Sequence, residues 1–206
     1  MPRVSKKLLL SCAVIGASIF HPGLAKAEEQ KSETVQTAPV SVPAPQMLKA
    51  LTREAIEAFY EEASRVQLEK IERTVAFLKK HMHEDSISTM KILSHVPGAQ
   101  SVSEVMTLNK KQLILKTKEG ARSTKVKSLK TKIIAVNLLE EGRKAKVKDT
   151  SFGVSLMRVA SPYGGVMLME AEQSMFCDDE LALSAEGVIQ ILKSKCNVEL
   201  SMEEKK

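Results

Sequence analysis

The chain has 206 residues, 43% of them apolar, with 31 Lys+Arg against 25 Asp+Glu, three Cys, no Trp and only 3% aromatics. That length and a mean hydropathy of −0.12 allow one ordinary domain with a core, and exclude gross disorder, a collagen-like repeat and a polytopic membrane protein. The net charge of +6 invites a nucleic-acid reading, so the location of the positive charge matters first.

Arg3, Lys6 and Lys7 precede an apolar run from Leu8 to Phe20, a His21-Pro22-Gly23 breaker and the small-residue tripeptide Ala25-Lys26-Ala27. This is the layout of a secretory signal peptide, and we expect residues 1–27 to be cleaved after Ala27. The apolar run is shorter than the roughly 20 residues a membrane helix needs. Cys12 precedes most of that run, which argues against a lipidated cysteine. Removing 1–27 leaves 27 basic against 25 acidic residues, so most of the basicity belongs to the targeting segment.

Residues 28–47 carry Pro39, Pro43 and Pro45 among Ala, Val and Ser and read as a disordered tether with too few large apolar groups to offset its ordering entropy. A single α+β domain is expected over 48–202, followed by a charged tail at 203–206.

Within that domain Thr52 is a good N-cap for a helix carrying Ile56, Phe59, Tyr60 and Ala63 on one face. A second stripe, Leu68, Ile71, Val75, Leu78 and Met82, is out of phase with the first, so two helices are predicted at 48–63 and 67–82. Ile87, Thr89, Ile92 and Leu93 suggest a short strand closed by Val96-Pro97-Gly98. Asn109-Lys110-Lys111-Gln112 has capping-box spacing and opens a third helix towards Gly120. Period-two patterns then predict strands at Lys125–Val136, Lys144–Lys148, Val154–Val159, Val166–Cys177, Val188–Leu192 and Asn197–Met202, with a loop at Ser161–Gly165. Helices first and strands afterwards argue for an antiparallel sheet packed on helices.

Ala58-Phe59-Tyr60, the run Val75–His81 leading through Asp85 into a strand, and Leu108–Ile114 before the main sheet give the chain a pattern that resembles the NTF2-like (SnoaL-like) superfamily over about residues 50–202. The resemblance implies N-terminal helices packed into a curved antiparallel sheet as a cone, a possible apolar cavity, and dimerisation through the open sheet face. It implies no catalytic residues here: isomerases of that superfamily place carboxylates and a Tyr inside the cone, this chain has only Tyr60 and Tyr163, and no catalytic motif matches.

Three constellations could carry chemistry. Cys177 and Cys196, the pair left after cleavage, are expected to form a disulfide in an oxidising compartment. His81, His83 and Asp85 form a weak metal candidate: their His-x-His-x-Asp spacing shares one side of a strand. On a helix the same spacing diverges, and a solvated helix end is the expected state. Finally, residues 109–148 carry 13 basic and 3 acidic groups between net-acidic flanks. Lys125, Lys127, Lys130, Lys132, Lys144, Lys146 and Lys148 would share the outer sheet face and could meet an acidic partner or anionic lipid. Met157, Met167, Met169 and Met175 read as core or cavity lining.

The resulting expectation is a periplasmic, non-enzymatic binding or assembly module with no cofactor. It would engage an envelope protein or a second copy of itself, with anionic lipid possible and nucleic acid not expected. The alternatives are a carrier of a small apolar or amphiphilic ligand in the cone, and an isomerase- or hydrolase-like enzyme.

Overall fold

A computed structural model describes residues 47–98, 100–160 and 165–204. The expected signal peptide and cleavage site, Cys12, nearly all of the expected 28–47 tether and Tyr163 lie outside the described residues. No described helix is long and apolar enough to cross a membrane.

Helix α1 (Arg53–Val66) starts where Thr52 accepts a hydrogen bond from the Ala55 amide, and α2 (Ile71–His81) follows after a turn that leaves Leu68 exposed. They begin five and four residues later than the apolar stripes suggest, because Leu51 packs from the lead-in and the exposed Leu68 lies in the turn, and neither is helical. Strand β1 (Met82–His95) leads into β2 (Val102–Asn109), and α3 (Lys110–Gly120) opens with the full Asn109/Gln112 capping box. Four long strands complete the chain: β3 (Thr124–Leu139), β4 (Lys144–Ala160), β5 (Val166–Leu183) and β6 (Ile189–Glu204).

The six strands form one sheet in the order β2-β1-β6-β5-β4-β3. Every neighbouring pair is antiparallel except β1–β6. That parallel pair departs from the wholly antiparallel expectation. The chain leaves β2 through α3, re-enters at the far edge as β3 and winds back strand by strand, so β6 arrives beside β1 in the same direction. Register shifts interrupt β1, the β5–β6 pairing, and β3 twice. Such irregularities bend a strand and increase its twist, which lets a six-stranded sheet curl around helices.

Strand β2 has no counterpart among the predicted elements: Glu104 interrupts its inward alternation and Val105, 65% exposed, blurs the other face. β5 runs six residues past Cys177, through Asp178-Asp179-Glu180, a triplet that reads as a turn when taken alone. It stays a strand because Asp178 and Glu180 each face a lysine on both neighbours, Lys148 and Lys195, Lys146 and Lys193, and opposite charges across strands are favourable. The predicted strands at 188–192 and 197–202 are one strand, β6. It continues through Glu203, paired with Glu170, so the charged tail is partly sheet.

Two apolar clusters sit on the concave face. One, under α1, contains Leu51, Ile56, Phe59, Tyr60, Ala145, Val147, Leu181, Leu183 and Ile189. The other, towards the opposite ends of the strands, contains Met90, Ile92, Met106, Leu108, Met157, Met169, Ala171, Val198, Leu200 and Met202. Met157 and Met169 are core, and Met175 lines the space between the clusters.

Candidate functional site

The inward faces of the central strands change character at one level. Along β4 the inward side chains read Ala145, Val147, Asp149, Ser151 and, further on, Met157. Along β5, read backwards, they are Leu183, Leu181, Asp179, Cys177, Met175 and, further on, Ala171. Along β6 they run from Ile189 and Ile191 through Ser194 and Cys196 to Val198. Polar residues thus interrupt three adjacent apolar stripes side by side. The interruption lines a cavity of about 210 Å³. Its walls are apolar side chains from every layer, among them Phe77 and Leu78 of α2, Met82 and Met90 of β1, Leu113 of α3 and Leu129 of β3.

At the polar level Tyr60 donates from Oη to Asp179 Oδ2 at 2.5 Å. Ser194 beside it favours the ionised form of Asp179, and Asp179 Oδ1 has no hydrogen-bond partner. Asp149 sits diagonally across the β4–β5 register, since Val147 pairs with Asp179 and Asp149 pairs with Cys177. It is 2% exposed and its Oδ2 is likewise without a partner. Burial, then the neighbouring Asp179 and Asp178 charges, push the Asp149 carboxyl up to about 7. Burial also raises Asp179, against the lowering effect of its hydrogen bonds, and burial beside Asp179 raises the Tyr60 phenol. Two carboxyls sharing an apolar site without a cation behave in this way because ionising either one is opposed by desolvation and by the other's charge.

A hydroxyl chain borders the carboxyls. Ser64 Oγ donates to the Tyr60 carbonyl at 2.9 Å, Ser64 and Thr131 hydroxyls are 2.8 Å apart, and Thr131 and Ser151 are 2.9 Å apart. Each hydroxyl has one proton. Because Ser64 spends its own on the carbonyl, Thr131 donates to Ser64 and Ser151 donates to Thr131.

Cys177 and Cys196 are cross-strand partners on β5 and β6, joined by a bond of 2.07 Å, and both line the cavity. A disulfide at this position suits an oxidising environment.

The His81-His83-Asp85 constellation is not assembled. His81, expected at a solvated helix end, is 6% exposed, packed against Phe59 and Phe77, with Nδ1 bonded to the Ile189 carbonyl at 2.8 Å. Burial lowers its pKa. His83 and Asp85 stay at the surface of β1, with 3.8 Å between Nδ1 and Oδ2. The break between α2 and β1 falls between His81 and His83, so the two imidazoles leave different elements and the spacing of a continuous strand does not apply.

All seven lysines are exposed on β3 and β4, but the field they create is not uniform. Lys127 pairs with Glu170 at 2.8 Å, Lys144 with Glu140 at 2.8 Å, and Lys148 with Asp178 at 3.6 Å. Lys146 faces Glu180 across the register. Lys125, Lys130 and Lys132 make no ion pair among the described residues. Apart from Glu140, in the turn between β3 and β4, the acidic side chains that face the rest come from β5, a segment whose net negative charge looks separate in the linear sequence.

Fold and site together define a cone-shaped α+β protein with a ligand-sized cavity and a polar floor. No protein-family model matches the chain, and no curated protein matches it. Among solved structures it is similar to a conserved protein from Planctomyces limnophilus, with 15% identity, 71% of this chain and 98% of that one covered, and a TM-score of 0.46. It is also similar to an NTF2-like protein from Cytophaga hutchinsonii, with 10% identity, coverage of 71% and 98%, and a TM-score of 0.44. A ketosteroid isomerase-like protein from Erwinia carotovora atroseptica shares 15% identity over 70% of this chain and 91% of its own, with a TM-score of 0.37. The fold class rests on the helix order and sheet described above, and no activity is carried over from these proteins.

Proposed function

We propose that the protein is an exported, periplasmic binding module that holds a small, mainly apolar ligand in the cone cavity. The observation that carries this reading is the cavity itself: about 210 Å³ of space walled by apolar side chains, with unpartnered carboxylate oxygens of Asp149 and Asp179 at its floor. Ligand sites have this make-up, an apolar enclosure with a few convergent polar groups that fix orientation. An apolar cavity of about 150 Å³ already holds benzene, so one ring with a polar substituent fits. The test is thermal unfolding of the oxidised protein with millimolar one-ring compounds, compared with the cavity-filling variant Ala63→Phe. Stabilisation of the wild type alone supports the reading, because a ligand that binds only the native state raises its stability by mass action. Equal responses in both proteins, or none, would count against it.

One observation favours a second reading, proton-transfer catalysis. A tyrosine donor and a carboxyl titrating near neutrality face the same cavity, the combination general acid–base chemistry requires. Deuterium uptake into a cyclic ketone in D₂O, lost in Asp149→Asn, would replace the carrier with an isomerase-like enzyme. A role for the lysines of β3 and β4 with an envelope partner or anionic lipid is a separate proposal. Neutralising Lys144, Lys146 and Lys148 together should weaken binding to phosphatidylglycerol vesicles, and unchanged binding would remove it.

A further inference from the structure

We propose that the ligand of the cone carries a cationic amine, held at the cavity floor by Asp149 and Asp179. The proposal rests on the reading of the cavity as a ligand site and adds the charge and donor pattern of what occupies it.

The floor offers unpartnered carboxylate oxygens, and no cationic side chain lines the cavity among the described residues. Asp179 has its Oδ2 bonded by Tyr60 and its Oδ1 unpartnered, and Asp149 has an unpartnered Oδ2. The inward neighbour of Asp149 on β4, Ser151, has committed its only proton to Thr131 through the hydroxyl chain ending on the Tyr60 carbonyl, so it too presents lone pairs. The Tyr60 proton is likewise spent on Asp179. Once the carboxyls are ionised, a ligand satisfying these atoms must bring hydrogens. A primary ammonium brings three, with a positive charge. In a water-poor site its hydrogen bonds to carboxylates are stronger than neutral ones. A neutral carbonyl brings only acceptors and would leave the oxygens of ionised carboxylates unsatisfied.

A metal ion is a poorer match. Cys177, Asp179 and Cys196 present ligand atoms within 4.8 Å of one another, but the sulfurs are bonded to each other and metal binding needs thiolates. Two carboxylates alone fall short of the four ligands of zinc or the six to eight oxygens of calcium.

The groups facing Asp149 are Tyr60 from α1 and Asp179 from β5. Asp178 acts on it from the other face of β5, and no Lys, Arg or His from α2, α3, β1, β3 or β6 lines the cavity among the described residues. Amine binding therefore follows ionisation of the carboxyls and strengthens as pH rises, whereas a ligand accepting a proton from Asp149 would bind better in acid.

The experiment is calorimetric titration of the oxidised protein with benzylamine and its near-isostere benzyl alcohol, at pH 6 and pH 8.5. At pH 8.5 benzylamine should bind at least about tenfold more tightly than the alcohol, and its affinity should fall about tenfold at pH 6 as Asp149 protonates. Asp149→Asn should lose most of the amine preference over the alcohol and the pH dependence of amine binding. Should that variant not fold, the two pH values on the wild type decide. Equal or tighter binding of benzyl alcohol, or a benzylamine affinity insensitive to pH and to Asp149→Asn, overturns the amine proposal and leaves the cavity reading intact. Binding of neither probe, with no stabilisation by any one-ring compound, overturns both.

Discussion

Replacing Asp149 by Asn should stabilise the folded protein at alkaline pH and leave it nearly unchanged in acid. Asp149 is 2% exposed, its Oδ2 has no hydrogen-bond partner, and burial pushes its carboxyl up from 3.8 to about 7. Its folded-state pKa lies above the unfolded value, so the native state binds more protons between these limits and stability falls as pH rises through that window. Each pH step in the window costs about 1.4 kcal/mol, which reaches roughly 4 kcal/mol by pH 8 for a rise of about three pH steps. Asparagine keeps the shape and never ionises. Urea denaturation at pH 4, 5.5, 7 and 8.5, with the disulfide intact, should show a difference near zero at pH 4 that grows to a few kcal/mol and levels off above pH 7. A difference independent of pH, or one favouring the wild type at pH 8.5, would refute the buried, unpartnered carboxyl.

Three further changes probe the surrounding structure. Cys177→Ser with Cys196→Ser opens a cross-link spanning 19 residues and should cost about 3 kcal/mol by the loop-closure estimate; chemical reduction of the wild type should reproduce the loss of urea midpoint. Tyr60→Phe removes the donor to Asp179 and should cost about 1–3 kcal/mol. In a double-mutant cycle with Asp179→Ala the two effects should not add, because each variant removes one side of the same hydrogen bond. Gly187→Ala places a Cβ 2.8 Å from Leu48 N at φ +72°, whereas Gly98→Ala at φ +71° meets nothing within 4 Å. Both carry the left-handed backbone penalty of about 1–2 kcal/mol, so the larger drop in melting temperature expected for Gly187→Ala measures how firmly the lead-in to α1 is locked onto the β5–β6 turn.

Much of the local structure was legible because it depends on neighbours in sequence. The Thr52 cap and the Asn109/Gln112 box are satisfied within three residues. The alternation that sends Lys144, Lys146 and Lys148 outward and Ala145 and Val147 inward is a property of one strand. Extending it by a single step puts Asp149 on the inward face, and the same step along β5 puts Asp179 there, so a signal for the site existed. It was obscured because Asp178, Asp179 and Glu180 look alike in a linear reading, and only pairing separates the middle residue from its neighbours.

The sequence by itself determined the Thr52 and Asn109 caps, the strand-rich second half, the α+β class and the pairable cysteines, since these follow from capping chemistry, periodicity and residue type. Tertiary structure alone decided the rest. It set β6 parallel to β1, turned His81 into the core away from His83, interleaved β5 carboxylates with the β4 lysines, and brought Tyr60, Asp149 and Asp179 to one cavity from positions up to 119 residues apart. The physical reason is that burial and charge interactions depend on distance in space, and the sheet order that fixes those distances emerges only when the whole chain has closed.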